Sequence, residues 1–479
     1  MTTTASSSRQ TAWSFLSLAA CLCTTVLAAD NHVIFEDDFD SDDRHHAGLI
    51  ARDTGERTDW FQSGVRQRDQ RSIARETPLV RWTANRDEMN FRYDFLQNVK
   101  TTTLHRGTPE TGTFNHHSHI TYFKEVFYVV WDIQAKDEHG PGQHGLLRRS
   151  TDQGKTWSPV EELFPAMDNY IPSSEALRNG RYKGRIQTSN GFAVVDDVLY
   201  AVTEVDDHRG TSISNRKRFH AGRLCRSINP NGSSGDIFWL KKDAPEPVEG
   251  FPAYPAGDPS LVQKIHEYFQ QPGNEIQLDF SANVPVSDSS TDAWAPFPIS
   301  DDNHRLIEQV PSYQAANGTW VRLYRDAGLR GVPIPEKGFK AELEANKSRR
   351  NYASYSFDNC KTWTVPTRTS FPDACAKSNA GKLPDGQVYV INNVLPLSTK
   401  DGGRQLLGIS LSRDGLNFDR VAVIRFMAPP KRYEGRAKSA GYAYPHSVVV
   451  GDHLWVIYSV NKEDIEVTRV PLAKLMELR

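Results

Sequence analysis

Histidines are concentrated in one short stretch of the chain, where they could exchange protons with a bound molecule. Asn115–His119 reads NHHSH, and His139 follows twenty residues after His119 in a glycine-rich loop. Alternate side chains of an extended strand share a face, so we expect His117 and His119 to point one way and His116 the other. Because imidazole gains and loses a proton near neutral pH, the spacing predicts an acid–base site.

A second group of polar residues stands at or near the start of other predicted strands. Guanidinium groups bind carboxylates through two parallel hydrogen bonds, and tyrosine or histidine can act beside them as base or acid. Each residue alone is typical of a structural role, but together they predict a basic pocket for a carboxylate. The members of this group are Arg185, Tyr200, Arg223, Arg325, Tyr444 and His446.

The elements that must position these residues are β-hairpins. A β run, a tight polar turn and a second β run recur, each rich in valine, isoleucine and aromatic residues. Strong helical periodicity is scarce, and the helices predicted are Leu261–Gln270 and Phe339–Ser348. The clearest hairpins are Ile120–Ile133, Phe192–Val205, Ala380–Val394 and His446–Val460.

A second repeat is superimposed on the hairpins. Ser150–Trp157 has the form SxDxGxTW, Ser356–Trp363 repeats it with Cys360 in place of glycine, and Ser412–Phe418 is a shorter version. The aspartate of such a box accepts hydrogen bonds from its own turn, and glycine supplies a positive φ, so we expect these residues to be structural. Here the chain resembles the sialidase-like β-propellers, which implies an all-β Asp-box propeller with seven blades.

The domain organisation is predicted to be simple. Residues 1–29 have the features of a secretory signal peptide, because the apolar run Trp13–Leu27 follows a basic residue and precedes a small-residue cleavage site. Residues 30–479 are then a single propeller domain. We expect insertions in it near 243–310 and 326–348.

Composition narrows the class of partner. The chain has 57 basic and 59 acidic residues without a long like-charge run, which does not favour nucleic acid. After the signal peptide no apolar run approaches about 20 residues, so no membrane span is predicted. Sequons at Asn231, Asn317 and Asn346 fit a secreted glycoprotein. We expect an extracellular monomer.

The cysteines give only a weak indication. Cys225, Cys360 and Cys375 remain after the signal peptide, and one disulfide plus one buried thiol is the prediction for this odd number. Cys225 lies near His220, but no CxxC pair supports a metal site. The sequence therefore predicts no metal ligands and no cofactor, and leaves a structural ion open.

Several stretches resemble the sialidase-like polysaccharide lyases, a group that includes ulvan lyases and L-rhamnose-α-1,4-D-glucuronate lyase. They are NHHSHITYF with the downstream histidine loop, GRIQTSNGF, GRLCR, YPHSVVVGD and NKEDIEVTRVPL. Members of the group use paired histidines, a tyrosine and arginines. The resemblance implies that His119, His139, Tyr200 and Arg223 are catalytic, and that His117, Arg185, Arg325, Tyr444 and His446 bind substrate.

The reaction that this resemblance implies is β-elimination from a uronic acid. An arginine would neutralise the C6 carboxylate and stabilise the charge that develops when C5 loses its proton. A histidine or tyrosine would take that proton, and another would protonate the departing O4 oxygen. The expected partner is an acidic polysaccharide, preferably one capped by rhamnosyl-glucuronate.

Two other functions remain open. A sialidase-like exo-glycoside hydrolase would share the fold, but would want a tyrosine–glutamate nucleophile or a carboxylate pair. Glu204 and Glu308 are candidates, although no Arg-Ile-Pro motif of sialidases occurs in the chain. A non-catalytic carbohydrate-binding propeller would explain the aromatic residues but not the concentration of histidines.

Overall fold

Nearly all regular structure in the chain is β-sheet. The structure is a computed structural model of the 479-residue chain. It describes residues 80–84, 93–138, 140, 142–166, 182–210, 216–247, 251–275, 298–329, 347–398, 402–435 and 437–478. The predicted signal peptide and His139 lie outside the described residues, as do parts of both predicted insertions. All described residues belong to one compact unit.

The strands form five sheets of four or five strands within the described residues, and we call these sheets blades 1 to 5. Three strands precede them: β1 (Arg81–Trp82), β2 (Asp94–Phe95) and β3 (Lys100–Arg106). Blade 1 comprises β4 (Phe114–Phe123), β5 (Val126–Gln134), β6 (His144–Ser150) and β7 (Glu161–Phe164). Blade 2 comprises β8 (Tyr182–Val195), β9 (Val198–Gly210), β10 (Arg216–Ile228) and β11 (Phe238–Trp239).

The remaining blades follow in chain order. Helix α1 (Pro259–Gln270) separates blade 2 from blade 3, which comprises β12 (His304–Gln314), β13 (Trp320–Leu329), β14 (Arg350–Ser356) and β15 (Thr367–Pro372). Blade 4 comprises β16 (Asn379–Lys382), β17 (Val388–Asn392), β18 (Leu406–Ser412) and β20 (Arg420–Phe426), with a 3₁₀ turn Gly403–Gln405 and β19 (Asn417–Phe418) between them. Blade 5 comprises β21 (Tyr442–Val450), β22 (His453–Val460) and β23 (Asp464–Pro471), and helix α2 (Leu472–Met476) follows.

Strands from the N-terminal side complete the last blades. Strand β3 pairs antiparallel with β23 and so becomes the fourth strand of blade 5. Strand β2 pairs parallel with β20 of blade 4, and β1 pairs parallel with β19. Chain segments that are far apart in sequence therefore share sheets, which fixes the ends of the propeller together.

The first strand of each blade is the inner strand, and the hydrophobic core lies between blades. Strand β4 contacts β21 and β8, while β16 contacts β12 and β21. Buried hydrophobic clusters join blade 1 to blades 2 and 5, and blade 4 to blades 3 and 5. Strand β5 is buried along its whole length, because its two faces meet different neighbouring blades.

The Asp boxes are confirmed as structural turns. Asp152 Oδ1 accepts hydrogen bonds from the backbone N–H of Lys155 at 3.0 Å and of Thr156 at 2.9 Å, in the turn between β6 and β7. Asp358 occupies the same place between β14 and β15, and Asp414 follows β18. All three boxes thus connect outer strands, away from the inner strands.

The predicted blade number is wrong, since the described residues form five blades rather than seven. A four-stranded blade of a compact propeller takes about 40–45 residues. Here β8, β9 and β10 are 13 or 14 residues long, and helix α1 with its flanking loops follows blade 2. Long strands and insertions therefore use the chain length that further blades would have needed. The prediction of a helix at Leu261–Gln270 is confirmed.

The predicted disulfide is also wrong. Cys225, Cys360 and Cys375 are all free thiols. They lie in different elements, namely strand β10, the Asp box of blade 3, and the connection between β15 and β16. Burial raises the pKa of Cys360 and Cys375 to about 12, which makes both poor nucleophiles at neutral pH.

No helix among the described residues is long and apolar enough to cross a membrane.

Candidate active site

Four inner strands are interrupted by register shifts, and β12 of blade 3 is one of them. The pairing register shifts between His116 and His119 in β4, between Ser189 and Gly191 in β8, and between Ala443 and His446 in β21. At two of these bulges a residue other than glycine has a positive φ, 48° at His117 and 56° at Tyr444. Such a backbone is uncommon for large side chains and is found preferentially where a bulge re-aims a side chain.

The bulge in β4 corrects the predicted alternation of the histidines. Instead of pointing to opposite sides, His116 and His117 have ring centroids 4.4 Å apart. Both rings also contact Tyr444, with centroid distances of 4.2 Å from His116 and 5.3 Å from His117. The alternation fails because the extra residue in a bulge breaks the two-residue period of a strand.

His117 is held between two carboxylates. Its Nδ1 lies 2.9 Å from Asp132 Oδ1, and its Nε2 lies 3.4 Å from Glu138 Oε1. Burial disfavours the imidazolium, but Asp132 and Glu138 outweigh burial and raise the pKa of His117 to about 10. Glu138 also accepts a hydrogen bond from Lys462 Nζ. His117 is therefore oriented through both of its ring nitrogens.

Tyr444 is surrounded by cations. Arg325 Nη1 donates a hydrogen bond to its hydroxyl at 2.7 Å. The guanidinium of Arg404 lies 5.5 Å from its ring centroid, and Lys462 Nζ lies 5.9 Å away. Burial alone would raise the pKa of Tyr444, but Arg325, Lys462 and Arg404 together lower it to about 7. The phenol is thus set among positive charges that would also attract an anion.

A second histidine pair stands beside this group. The rings of His119 and His446 are 4.9 Å apart, and the backbone N–H of Ile120 donates to His446 Nδ1 at 3.4 Å. Burial and the nearby Lys377 lower the pKa of both histidines, that of His446 to about 3. Both imidazoles are therefore neutral in the folded protein.

The structure places the other predicted residues elsewhere. Arg185 lies 5.3 Å from the ring centroids of both Trp239 and Phe251, on the β11 side of blade 2. Tyr200 stands on β9 close to the β8–β9 turn and packs against the cluster that includes helix α1. Arg223, on β10, contributes with burial to lowering the pKa of His266 in α1.

Five of the predicted residues therefore come together, and several partners were not foreseen. The five are His117, His119, Arg325, Tyr444 and His446. Asp132 offered a signal, because an acidic residue inside the apolar run VVWDI needs a buried partner. Lys462 lies within the NKED segment, but Arg404 stands in the 3₁₀ turn and Glu138 in a loop, where the sequence pattern gives no indication.

The arrangement can bind an anion and move protons. Arg325 and Arg404 approach Tyr444 from blades 3 and 4, and the histidines approach from blades 1 and 5. Glu138 and His117 keep about a tenth of their side chains exposed, at 13% and 10%. A molecule that reaches this edge would meet a phenol, imidazoles and guanidinium groups together.

Comparisons with known proteins agree with this architecture. The model of a BNR repeat-like domain matches residues 339–456, and that of a BT_1020-like N-terminal β-propeller matches residues 95–279. A solved sialidase superimposes with a TM-score of 0.57 and 22% sequence identity. The fold is a sialidase-like β-propeller. The match covers 82% of this chain but only 35% of that protein, so the chain spans about a third of its length.

Other solved structures match less well. A mutant of Trypanosoma rangeli sialidase that displays trans-sialidase activity matches with 12% identity and a TM-score of 0.46, over 80% of this chain and 60% of its own. The leech intramolecular trans-sialidase matches with 10% identity and a TM-score of 0.45, over 78% and 71% respectively. A comparison with curated protein sequences gives no match.

Proposed function

We propose that the propeller is a secreted polysaccharide lyase that cleaves the bond to O4 of a uronic acid by β-elimination. The observation that carries this proposal is the hydrogen bond of 2.7 Å between Arg325 and the hydroxyl of Tyr444, with Arg404 and Lys462 beside the same ring. A carboxylated sugar fits such a group, since guanidinium binds carboxylates in a bidentate manner. Rhamnosyl-glucuronate is the preferred substrate.

The residues divide into two roles. Arg325 and Arg404 bind the C6 carboxylate and stabilise the negative charge that develops on it in the transition state. Tyr444 accepts the C5 proton, because its oxygen lies next to the guanidinium that holds the carboxylate. For the proton that O4 receives, His139 remains the predicted donor, because the neutral imidazole of His119 is a poor acid.

The step balances without an added reactant. The C5–H bond breaks and its proton passes to the base, while its electron pair forms the C4=C5 double bond. The C4–O4 bond breaks at the same time, and O4 leaves with a proton from the acid. The products are a 4,5-unsaturated uronate and the freed sugar.

The test follows the double bond directly. Gum arabic and ulvan are incubated with the full chain, with Tyr444→Phe and with Tyr200→Phe, and the ultraviolet absorbance of the unsaturated uronate is recorded. We expect absorbance to grow with wild type and Tyr200→Phe, and the rate with Tyr444→Phe to fall about 100-fold or more. Equal losses in the two variants would contradict the role given to Tyr444.

An exo-glycoside hydrolase is the second candidate, because the superimposed structures are named sialidases. Hydrolysis calls for a carboxylic acid or a carboxylate at the scissile bond. Glu138 is engaged by Lys462 and His117, and Glu204 Oε2 accepts a hydrogen bond from Asn190 at 3.3 Å. These contacts favour elimination. Reducing sugar released without absorbance would establish hydrolysis instead.

A further inference from the structure

One buried nitrogen beside Tyr444 has no partner among the described residues. His116 is fully buried, and its Nδ1 lies 2.7 Å from the Ser459 hydroxyl. Its Nε2 is also buried and makes no hydrogen bond within the described part of the chain. Leaving a buried polar atom unpaired is unfavourable, and nearly all buried polar atoms of native proteins have a partner, so such an atom indicates a missing ligand.

His116 stands in a group of three side chains that could share an ion. One nitrogen of His116, one of His117 and one oxygen of Glu138 all lie within 4.8 Å of one another. His117 Nε2 and Glu138 Oε1 are 3.4 Å apart. Two atoms that are each about 2.0–2.1 Å from a tetrahedral Zn²⁺ are about 3.3 Å apart, so this spacing already suits an ion.

The other polar atom of each of these three side chains is bonded to a residue outside the group. His117 Nδ1 bonds to Asp132 at 2.9 Å, and His116 Nδ1 bonds to Ser459. The second oxygen of Glu138 accepts a hydrogen bond from Lys462. Metal-binding histidines nearly always have their other nitrogen fixed in this way, by a carboxylate or another acceptor, which sets the ring orientation.

The backbone is shaped for this convergence. Consecutive residues of a regular strand point to opposite faces, and could not both direct a nitrogen at one point. The bulge at His117, with its φ of 48°, brings the two rings to the same side. A backbone in a rarely populated region is strained and persists where the surroundings require it.

We propose that His116, His117 and Glu138 bind a divalent transition-metal ion, with Zn²⁺ the first candidate. Two imidazoles and a carboxylate are ligands that zinc accepts, and a site with three protein ligands keeps a fourth position open. This inference goes beyond the proposed function, because the ligand set is the same whether the enzyme eliminates or hydrolyses.

The charges around the site decide what fills the open position. Arg325, Arg404 and Lys462 lie on the side of Tyr444 and oppose an uncompensated cation. Asp132 and Glu138 offset part of this charge. An anion in the fourth position would offset more of it, so each of the two, the ion and a carboxylate, should bind more tightly when the other is already bound.

The experiment counts metal rather than activity. The full chain is stripped with a chelator, dialysed against Zn²⁺ and analysed by elemental mass spectrometry, and affinity is measured by competition with a chromophoric chelator, with and without glucuronate. We expect one ion per chain in wild type. Glu138→Gln and His116→Gln should weaken binding at least 10-fold, while His453→Gln, on β22, should bind as wild type does.

Other outcomes would overturn the inference. Wild type that retains no ion at micromolar Zn²⁺, or variants that bind as well as wild type, would contradict the site. Asp132→Asn is a second test that leaves all three ligands in place, so it does not depend on whether the ligand variants fold. Loss of this supporting carboxylate should lower the affinity for Zn²⁺ about 10–100-fold. Absorbance assays on the same samples test elimination separately, because their failure would leave the metal count unchanged.

Discussion

At the scale of single residues, the phenol of Tyr444 is surrounded by cationic side chains from three different blades. Arg325 belongs to blade 3, Arg404 to the 3₁₀ turn of blade 4, and Lys462 to the turn that follows β22 in blade 5. Like charges repel, so they stay together only when anions compensate them. Glu138 supplies part of that compensation, and a bound carboxylate would supply more.

A first prediction concerns the two parallel N–H groups that the guanidinium of Arg325 can present to a carboxylate. Arg325→Lys should lower kcat/KM on an acidic oligosaccharide about 10–100-fold, because lysine keeps the charge but cannot present two parallel N–H groups. Steady-state kinetics that separate kcat from KM provide the measurement. Arg185→Lys is the comparison variant. Its contacts with Trp239 and Phe251 predict a lower melting temperature and unchanged kcat/KM.

The result would contradict this placement if Arg185→Lys lost activity and Arg325→Lys did not. In that case the basic pocket would lie at the start of β8, as one part of the sequence prediction had it. Loss in both variants with a matching loss of folded protein would exclude a specific role for either. The kinetic comparison therefore needs a melting curve for each variant.

The sequence predicted residue types better than residue partners. His117, Arg325, Tyr444 and His446 were chosen for their chemistry and do lie near the bulged inner strands. The direction of His116 was wrong, since the two-residue period holds only in a regular strand. Partnerships such as that of His117 with Asp132 depend on a strand register that a linear pattern does not contain.

At the scale of elements, the Asp boxes allow a direct comparison of one backbone position. Gly154 and Cys360 follow the box aspartate by two residues and have φ values of 75° and 66°. In both boxes the backbone N–H of this residue donates to the box serine at 2.9 Å. Glycine adopts this conformation without steric cost, whereas a side chain does not.

The second prediction follows from that position. Cys360→Gly should stabilise the protein by about 0.5–1 kcal/mol, because it removes the steric cost of a side chain at positive φ. Gly154→Ala should destabilise it, since the added Cβ would collide with the ring of Trp455 in the neighbouring blade. Denaturant unfolding of both variants is the measurement. Destabilisation by Cys360→Gly would mean that the packing of the thiol outweighs the strain.

The bulges explain why the site could be only partly predicted at this scale. The bulge in β8 carries a glycine, Gly191, with φ of 105°, and a glycine inside a strand pattern is a readable signal. The bulges in β4 and β21 place His117 and Tyr444 in that conformation. Pro445 marks the bulge in β21, since proline inside a sheet is confined to edge strands, first residues and bulges, but the bulge in β4 contains no such residue. The hairpins were therefore predictable, whereas the bulge at His117 was not.

At the scale of the whole molecule, the blade count shows the limit of a repeat pattern. Hairpin alternation and the three Asp boxes identified the class of fold, because both are local. The number of blades is not local, since it depends on how much chain each blade uses. Strand β3 illustrates this, because it lies before blade 1 in sequence and yet completes blade 5.

The last prediction concerns stability in acid. Burial lowers the pKa of His446 to about 3 and that of His105 to about 4, whereas the unfolded chain protonates its histidines near 6.5. Below pH 6.5 the unfolded state therefore binds protons at these histidines that the folded state does not bind. The free energy of unfolding should fall with pH across this window, by at most about 1.4 kcal/mol per pH unit for each such histidine.

Two histidines whose pKa values are shifted in opposite directions allow the pH effect to be assigned to single residues. His446→Gln cannot take up the proton, so its stability should fall less steeply than that of wild type between pH 6.5 and 5. His304 is the counter-case: burial lowers its pKa, but the bond to Asp326 at 2.9 Å outweighs burial and raises it. Its contribution is present below pH 6.5 and lost as pH rises above that value, so His304→Gln should lower stability at pH 6 and 5 alike without changing the slope there. Denaturant unfolding at pH 8, 7, 6 and 5 distinguishes the two, and a slope of His446→Gln equal to that of wild type between pH 6.5 and 5 would mean that His446 does not govern acid stability.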